Sequence, residues 1–184
     1  MNEANFEPTL ESTLNKIAFD IVNDKILEEN EISKLLGVLS NDGVYAMWIY
    51  VLDKLKVKFH EDEKSLNEEK IFKLLSKIAE IDKFVLKTLD YDAVVKNISN
   101  LTKEINQLQK DINQLQGKIK NKSNSQEEKK QLENQKKAKE KDRNKELNKY
   151  FLDLSSNLND LLFFKELFEK VLIYALYHAK AMGE

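Results

Sequence analysis

From Tyr91 to Ile119 the apolar residues recur in steps of three and four: Tyr91, Val94, Ile98, Leu101, Ile105, Leu108, Ile112, Leu115 and Ile119. That spacing winds a narrow stripe along a helix, and a second helix covers such a stripe best. The pentapeptide Ile-Asn-Gln-Leu-Gln occurs at 105–109 and again at 112–116, which keeps the heptad register. Upstream, Leu10, Leu14, Ile17, Ile21 and Ile26 form an amphipathic pattern preceded by Pro8 and Thr9, with Thr9 the expected N-cap. A shorter helix is predicted over 29–40, and Asn41, Asp42 and Gly43 stop it. The next, from Gly43 to about Lys58, is apolar on nearly every side (Val44, Tyr45, Met47, Trp48, Ile49, Val51, Leu52, Leu55), as befits the centre of a bundle.

His60 to Lys64 reads as a charged linker, and Ser65 with Glu68 as a capping box opening a fourth helix that runs to about Leu89 and Asp90. The heptad helix follows. Gly117 and the polar stretch 121–125 form its tip, and one long helix from about Gln126 to Met182 returns, polar until Leu147 and apolar afterwards. Folding back near residue 122 pairs residues whose numbers total about 245. This places Ile98 by Leu147 and Ile112 by Leu132, but Leu101 by Asn144, Ile105 by Glu140 and Leu108 by Lys137. The outgoing arm then carries more apolar surface than its partner covers, even with lysine stems lying along it. Either the arm is a marginal, fraying hairpin, or its seam docks another helix. Ile at a and Leu at d also suits a two-stranded parallel coiled coil, which keeps a homodimer open. The 19 residues from Leu101 to Ile119 span roughly 28 Å.

These elements predict an all-α protein, a helical bundle with a long protruding antiparallel coiled-coil hairpin. Residues 1–90 form the bundle body, 91–150 the hairpin extension with a basic tip, and 151–184 a C-terminal helix packing back on the body. With 184 residues one core is expected, and four Gly and one Pro leave helices almost uninterrupted. There is no cysteine, hence no disulfide framework, no thiolate nucleophile and no cysteine-based zinc site, which fits a reducing cytoplasm. The polar N-terminus lacks a signal-peptide apolar region. The longest apolar run, Val44–Leu52, falls far short of the roughly 20 residues that span a bilayer, so a soluble protein without membrane contact is expected.

The net charge of −2 is unevenly placed. Between Lys118 and Lys149 there are 12 Lys or Arg against 6 Asp or Glu, so the remainder is acidic. Such a basic segment either attracts polyanions or acidic protein surfaces or is simply a solvated helix kept soluble by mixed charge. Candidate chemistry is sparse. His60, Glu61, Asp62 and Glu63 are consecutive and cannot converge on one cation as helical i, i+4 ligands do. His178 near the end of the last helix suits the helix dipole or plain packing, and Glu68 and Glu69 suit a helix start. No G-x-S-x-G, H-E-x-x-H, Gly-rich phosphate loop or EF-hand pattern occurs, so neither an enzyme nor a cofactor or metal site is expected. Trp48, Tyr45, Tyr50, Tyr174 and Tyr177 fit core positions, with base stacking the functional alternative. Lys54, Lys56 and Lys58 form a small ledge suited either to solvent or to phosphate contact.

The run Leu35–Lys54, with its helix, Asn-Asp-Gly turn, apolar helix and closing lysine, resembles the small helical subunit, Cmr type, of type III CRISPR RNA-guided effector complexes. The ending Leu172–Met182 is similar to that family's last helix. The two stretches cover 31 residues, and the long heptad hairpin departs from the compact family members. The resemblance implies a non-catalytic cytoplasmic subunit in antiviral defence that contacts neighbouring protein subunits and target RNA. Lys54, Lys56 and Lys58 would touch the RNA backbone, and Leu101, Ile105, Leu108 and Leu115 would bind a protein partner. The competing expectation is a coiled-coil structural or adaptor protein that dimerises or docks a partner helix without nucleic acid.

Overall fold

Thr9 opens the first helix as its position suggests: its side-chain Oγ1 accepts the backbone N–H of Ser12 at 3.2 Å, satisfying one of the donors a helix start leaves free. The computed structural model describes residues 9–118 and 124–183, so the expected tip at 121–125, Pro8 and Ile119 lie at least partly outside the described residues. Within them the chain is all-α, with eight helices and no strand: α1 Leu10–Asn23, α2 Glu29–Asp42, α3 Val44–Leu55, α4 Glu63–Glu68, α5 Lys70–Asp82, α6 Tyr91–Lys118, α7 Asn124–Leu154 and α8 Leu158–Met182. Among the described residues no helix is long and apolar enough to cross a membrane.

The chain divides into two compact units, one of Met1–Val57, Glu69–Tyr91 and Phe151–Glu184, the other of Lys58–Glu68 and Asp92–Tyr150. In the first, α8 packs along both α1 and α2, α2 packs on α3, and α5 touches α1, α3 and α8. The core is a column of aromatic rings. Trp48 of α3 stacks on Phe151 with centroids 4.3 Å apart, Phe151 meets Phe164 edge-on at 6.4 Å, and Phe164 stacks on Phe168 at 5.7 Å. Leu14, Ile17 and Ile21 of α1, Ile32 and Leu35 of α2, and Phe72 and Ile78 of α5 are buried with them. The apolar third helix therefore does sit at the core through Met47, Trp48 and Val51.

In the second unit, cross-contacts tie α6 to α7 in opposite chain directions. Asn97 donates to Glu146 at 2.9 Å, Arg143 to Thr102 at 3.3 Å and Lys136 to Gln109 at 2.8 Å, while Lys139 pairs with Glu104 at 2.6 Å. Residue numbers in these pairs total between 243 and 245. The Lys58–Glu68 segment lies along α6 as well: Ser99 donates its hydroxyl to the Glu61 carbonyl, and Asn106 donates to the Glu61 carboxylate at 2.7 Å. Val95, Ser99 and Thr102 are consequently buried beside Ile98.

Three helix boundaries differ from expectation. Ser65 does not open a long fourth helix. It lies inside the short α4, and its N–H is capped by Asp62 at 2.7 Å, which holds the Asp62 carboxyl below its ordinary value. The helix that follows ends at Asp82 rather than near Leu89, because the Asp82 carboxylate turns back to accept the N–H groups of Leu86, Thr88 and Leu89 at 3.2, 2.7 and 2.8 Å. The expected single return helix is two. Ser155 and Ser156 bond back to the carbonyls of Phe151 and Asp153, and the Asn157 side chain caps α8 by accepting from Asn159 at 3.0 Å and Asp160 at 3.4 Å. Side chains of this kind offer the backbone an alternative to the helix and so break it without Pro or Gly.

Two stability predictions follow from these contacts. Phe151→Ala, which empties the centre of the ring column, is expected to cost about 3–5 kcal/mol in urea unfolding, and Asp82→Ala about 2–3 kcal/mol through the N–H groups it strands. Lys77, half-buried, lies 2.7 Å from Asp20 and 3.1 Å from Glu80. Burial alone would lower its pKa, but hydrogen bonds to Asp20 and then Glu80 outweigh it and raise the pKa above the ordinary lysine value. A cation raised by folding stabilises fully below its unfolded pKa of about 10.4 and loses that contribution as pH climbs through the folded value. Unfolding midpoints should therefore fall above about pH 10.4, and Lys77→Met should flatten that step.

Candidate functional site

The lysine ledge begins where α3 ends. Lys56 takes a left-handed conformation, φ 46°, which stops the helix one turn after Val51 and sends the chain away. Lys54, Lys56 and Lys58 are all exposed, but Lys54 and Lys56 belong to the first unit and Lys58 to the second. Lys54 is already engaged: its ammonium lies 2.8 Å from Asp53 and 5.6 Å from the Tyr50 ring centroid. The hydrogen bond to Asp53 raises the Lys54 pKa and lowers that of Asp53. Of the three, Lys56 and Lys58 make no ion pair among the described contacts.

Beside Lys54, α2 and α3 leave a cleft of about 200 Å³, small against the 300–1,000 Å³ of ordinary ligand pockets. Leu27, Leu35, Val51 and Leu55 give it apolar walls, and Glu31, Lys34, Tyr50 and Lys54 its polar edge. Glu31 has a structural duty there, accepting the Glu28 N–H at 2.9 Å and pairing with Lys70 at 3.8 Å. Its carboxylate starts α2. No group of three His, Cys, Asp or Glu among the described residues could hold a metal ion. His178 meets Phe19 edge-on at 6.0 Å, a packing contact.

The heptad seam resolves into two lines. The a-position residues Ile98, Ile105 and Ile112 are buried, Ile105 to 5% exposure, whereas Leu101, Leu108 and Leu115 at d stay half-covered. Ile105 is thus sheltered within the chain and is corrected from the partner-binding set. Leu108 and Ala138 line a shallow groove with Glu104, Gln107, Gln135 and Lys139. A residue that reads as surface charge is also drawn into this unit. Arg143 turns inward, its guanidinium carbon 3.6 Å from the Phe59 ring centroid and one NH donating to the buried Thr102 hydroxyl. Burial lowers the Arg143 pKa from its usual value. No sequence signal separates Arg143 from its lysine neighbours except that it is the lone arginine, the cation that stacks best on rings.

A further surface lies on the first unit. Trp48 and Met47 point inward, while Tyr45 and Ile49, four residues apart on the opposite face of α3, are 40% and 43% exposed. On α8, Leu158, Leu162, Ile173 and Tyr177 are exposed along the side away from α1 and α2. The four-residue spacing of Tyr45 and Ile49 was legible, but an all-round apolar helix hides which face the bundle leaves open. Comparison with known proteins adds no name: no family model, no curated protein and no solved structure matches this chain.

The Arg143–Phe59 contact is open to a double-mutant cycle. Arg143→Ala and Phe59→Ala should each destabilise, and the pair should be non-additive by about 0.5–2 kcal/mol, the worth of a partly desolvated cation–π contact. Chemical unfolding of the four proteins measures it.

Proposed function

We propose that this chain is a non-catalytic, cytoplasmic helical subunit of a type III CRISPR ribonucleoprotein effector, contacting neighbouring protein subunits and the backbone of target RNA. The observation that carries the reading is where apolar surface is left open. Tyr45 and Ile49 fall inside the Leu35–Lys54 stretch that resembles the family, and Ile173 and Tyr177 inside the Leu172–Met182 stretch. Large apolar side chains grouped on two helix faces call for cover, and a filament of neighbouring subunits supplies it. In this reading α6 and α7 act as a long antiparallel coiled-coil hairpin reaching from the body to a neighbour. Lys56 and Lys58 touch RNA phosphates, and Lys54 follows only if Asp53 releases it.

The charge distribution supports an assembly role. The first unit holds 13 Lys and Arg against 19 Asp and Glu, the second 17 against 13. Opposite signs on two units of one chain favour docking the basic unit of one copy on an acidic neighbour.

A second reading, a coiled-coil adaptor or homodimer that binds no nucleic acid, draws on the shallow groove in which Leu108 of α6 and Ala138 of the highly charged α7 lie together. Affinity purification from the native cell distinguishes the two. The effector reading expects co-purifying protein subunits together with RNA, and Tyr45→Glu with Ile49→Glu should release those subunits while leaving the circular dichroism of the free protein unchanged. Recovery of one helical partner without RNA, lost on Leu108→Glu and retained on Tyr45→Glu, would support the adaptor instead.

A further inference from the structure

Helix α7 is not uniformly charged around its circumference. Between 129 and 149 its carboxylates each have a partner: Glu133 with Lys129 at 3.6 Å, Glu140 with Lys136 at 3.4 Å, Asp142 with Lys145 at 3.6 Å, and Glu146 with Asn97 at 2.9 Å. The lysines that turn toward α6 are likewise used, Lys136 on Gln109 and Lys139 on Glu104, and Glu104 raises the Lys139 pKa. What remains is an outer line. Lys130, Lys137 and Lys141 are exposed and without an ion pair among the described contacts, with Lys145 continuing the line one turn on. At 100° per residue these four fall within a sector of about 80°, and no carboxylate between 129 and 149 enters it. The line is about 22 Å long, with Lys137, Lys141 and Lys145 spaced about 6 Å apart.

A helix charged only for solubility intersperses both signs. Here the acids between 129 and 149 are drawn to the flanks, and of the outer cations Lys130, Lys137 and Lys141 are left uncompensated while Lys145 pairs with Asp142 at 3.6 Å. Between 129 and 149 the sector contains no aromatic or large apolar side chain; Leu152, 51% exposed, enters it only beyond that span. Asn134 is its other exposed polar residue over that span. A protein partner would need an apolar centre to its interface, and base stacking would need rings. A row of cations with the Asn134 amide among them needs neither to hold a phosphodiester backbone.

From this arrangement we propose that the outer face of α7, through Lys130, Lys137, Lys141 and Lys145, binds the phosphate backbone of nucleic acid without reading its bases. The site is separate from Lys54, Lys56 and Lys58 and stands whether or not the chain belongs to a CRISPR effector.

The test is fluorescence anisotropy with the full chain and a fluorescein-labelled mixed-sequence RNA across a salt series, with single-stranded and duplex DNA of the same sequence as further arms. The triple variant Lys130→Gln, Lys137→Gln, Lys141→Gln should bind at least about tenfold more weakly at low salt, with the slope of log affinity on log salt shallower by about two to three. The control Lys129→Gln, Lys136→Gln, Lys139→Gln removes the same charge from lysines already paired and should change binding by less than about threefold. Replacing the same three stripe lysines by Arg should preserve binding, and sequence should matter little. Circular dichroism verifies that each variant remains helical. No binding by the parent protein at low salt overturns the proposal, as does an equal loss in both triple variants, which would reduce the effect to net charge. It is also overturned if poly-glutamate binds as tightly with the same lysine dependence, since the stripe would then be an acidic-protein site. Loss of RNA on Lys56→Gln with Lys58→Gln but not on the stripe variant would favour the ledge over α7, so the two claims can fail separately.

Discussion

Phe151 lies face to face with Trp48, rings 4.3 Å apart and 19° from parallel, and edge-on to Phe164. That three-ring contact joins α3, the last turn of α7 and the first half of α8 in one place. A chain in which 34% of residues are charged needs such a concentrated apolar centre, because most of its length cannot contribute to one. The indole Nε1 of Trp48 is buried there without a hydrogen-bond partner among the described residues, a cost the stacking has to exceed. Around the rings α8 spans α1 and α2, which leaves its far side exposed, as are Tyr45 and Ile49 of α3.

The second unit solves a different problem. Its α7 is almost wholly polar until Leu147, yet it must cover the stripe on α6. It does so with the stems and heads of long side chains: Arg143 over Phe59, Lys136 and Lys139 across to α6, and the Lys58–Glu68 segment on another side. Turning some cations and the carboxylates between 129 and 149 of α7 to these inward and flanking duties segregates the rest. The basic outer stripe and the sheltered isoleucine seam are thus two results of one packing arrangement.

Much of the architecture was readable from residue order. Heptad spacing located α6, and the near-continuous apolar run of α3 marked the helix that reaches the core. The lysine stripe was legible in principle as well, since Lys137, Lys141 and Lys145 follow one another at one-turn spacing. Missing were the boundaries made by polar side chains. Asp82, Asp62 and Asn157 end or begin helices through hydrogen bonds whose acceptors look, in the sequence, like ordinary surface residues. Ser65 with Glu68 matched a capping pattern, but Asp62 reached the same N–H first.

By itself, then, the order of apolar and polar residues determined that this protein is helical, which stripes face inward, and that charge is divided unevenly along it. Periodicity carries that information because a helix has only one geometry. Tertiary structure alone decided which cations are consumed in packing, that Ile105 is sheltered while Leu108 is half-open, and that Tyr45 and Ile49 stay at the surface. Those outcomes depend on which segment arrives at a given face, as Lys58–Glu68 arrives at α6, and that placement is set by contacts between residues dozens of positions apart.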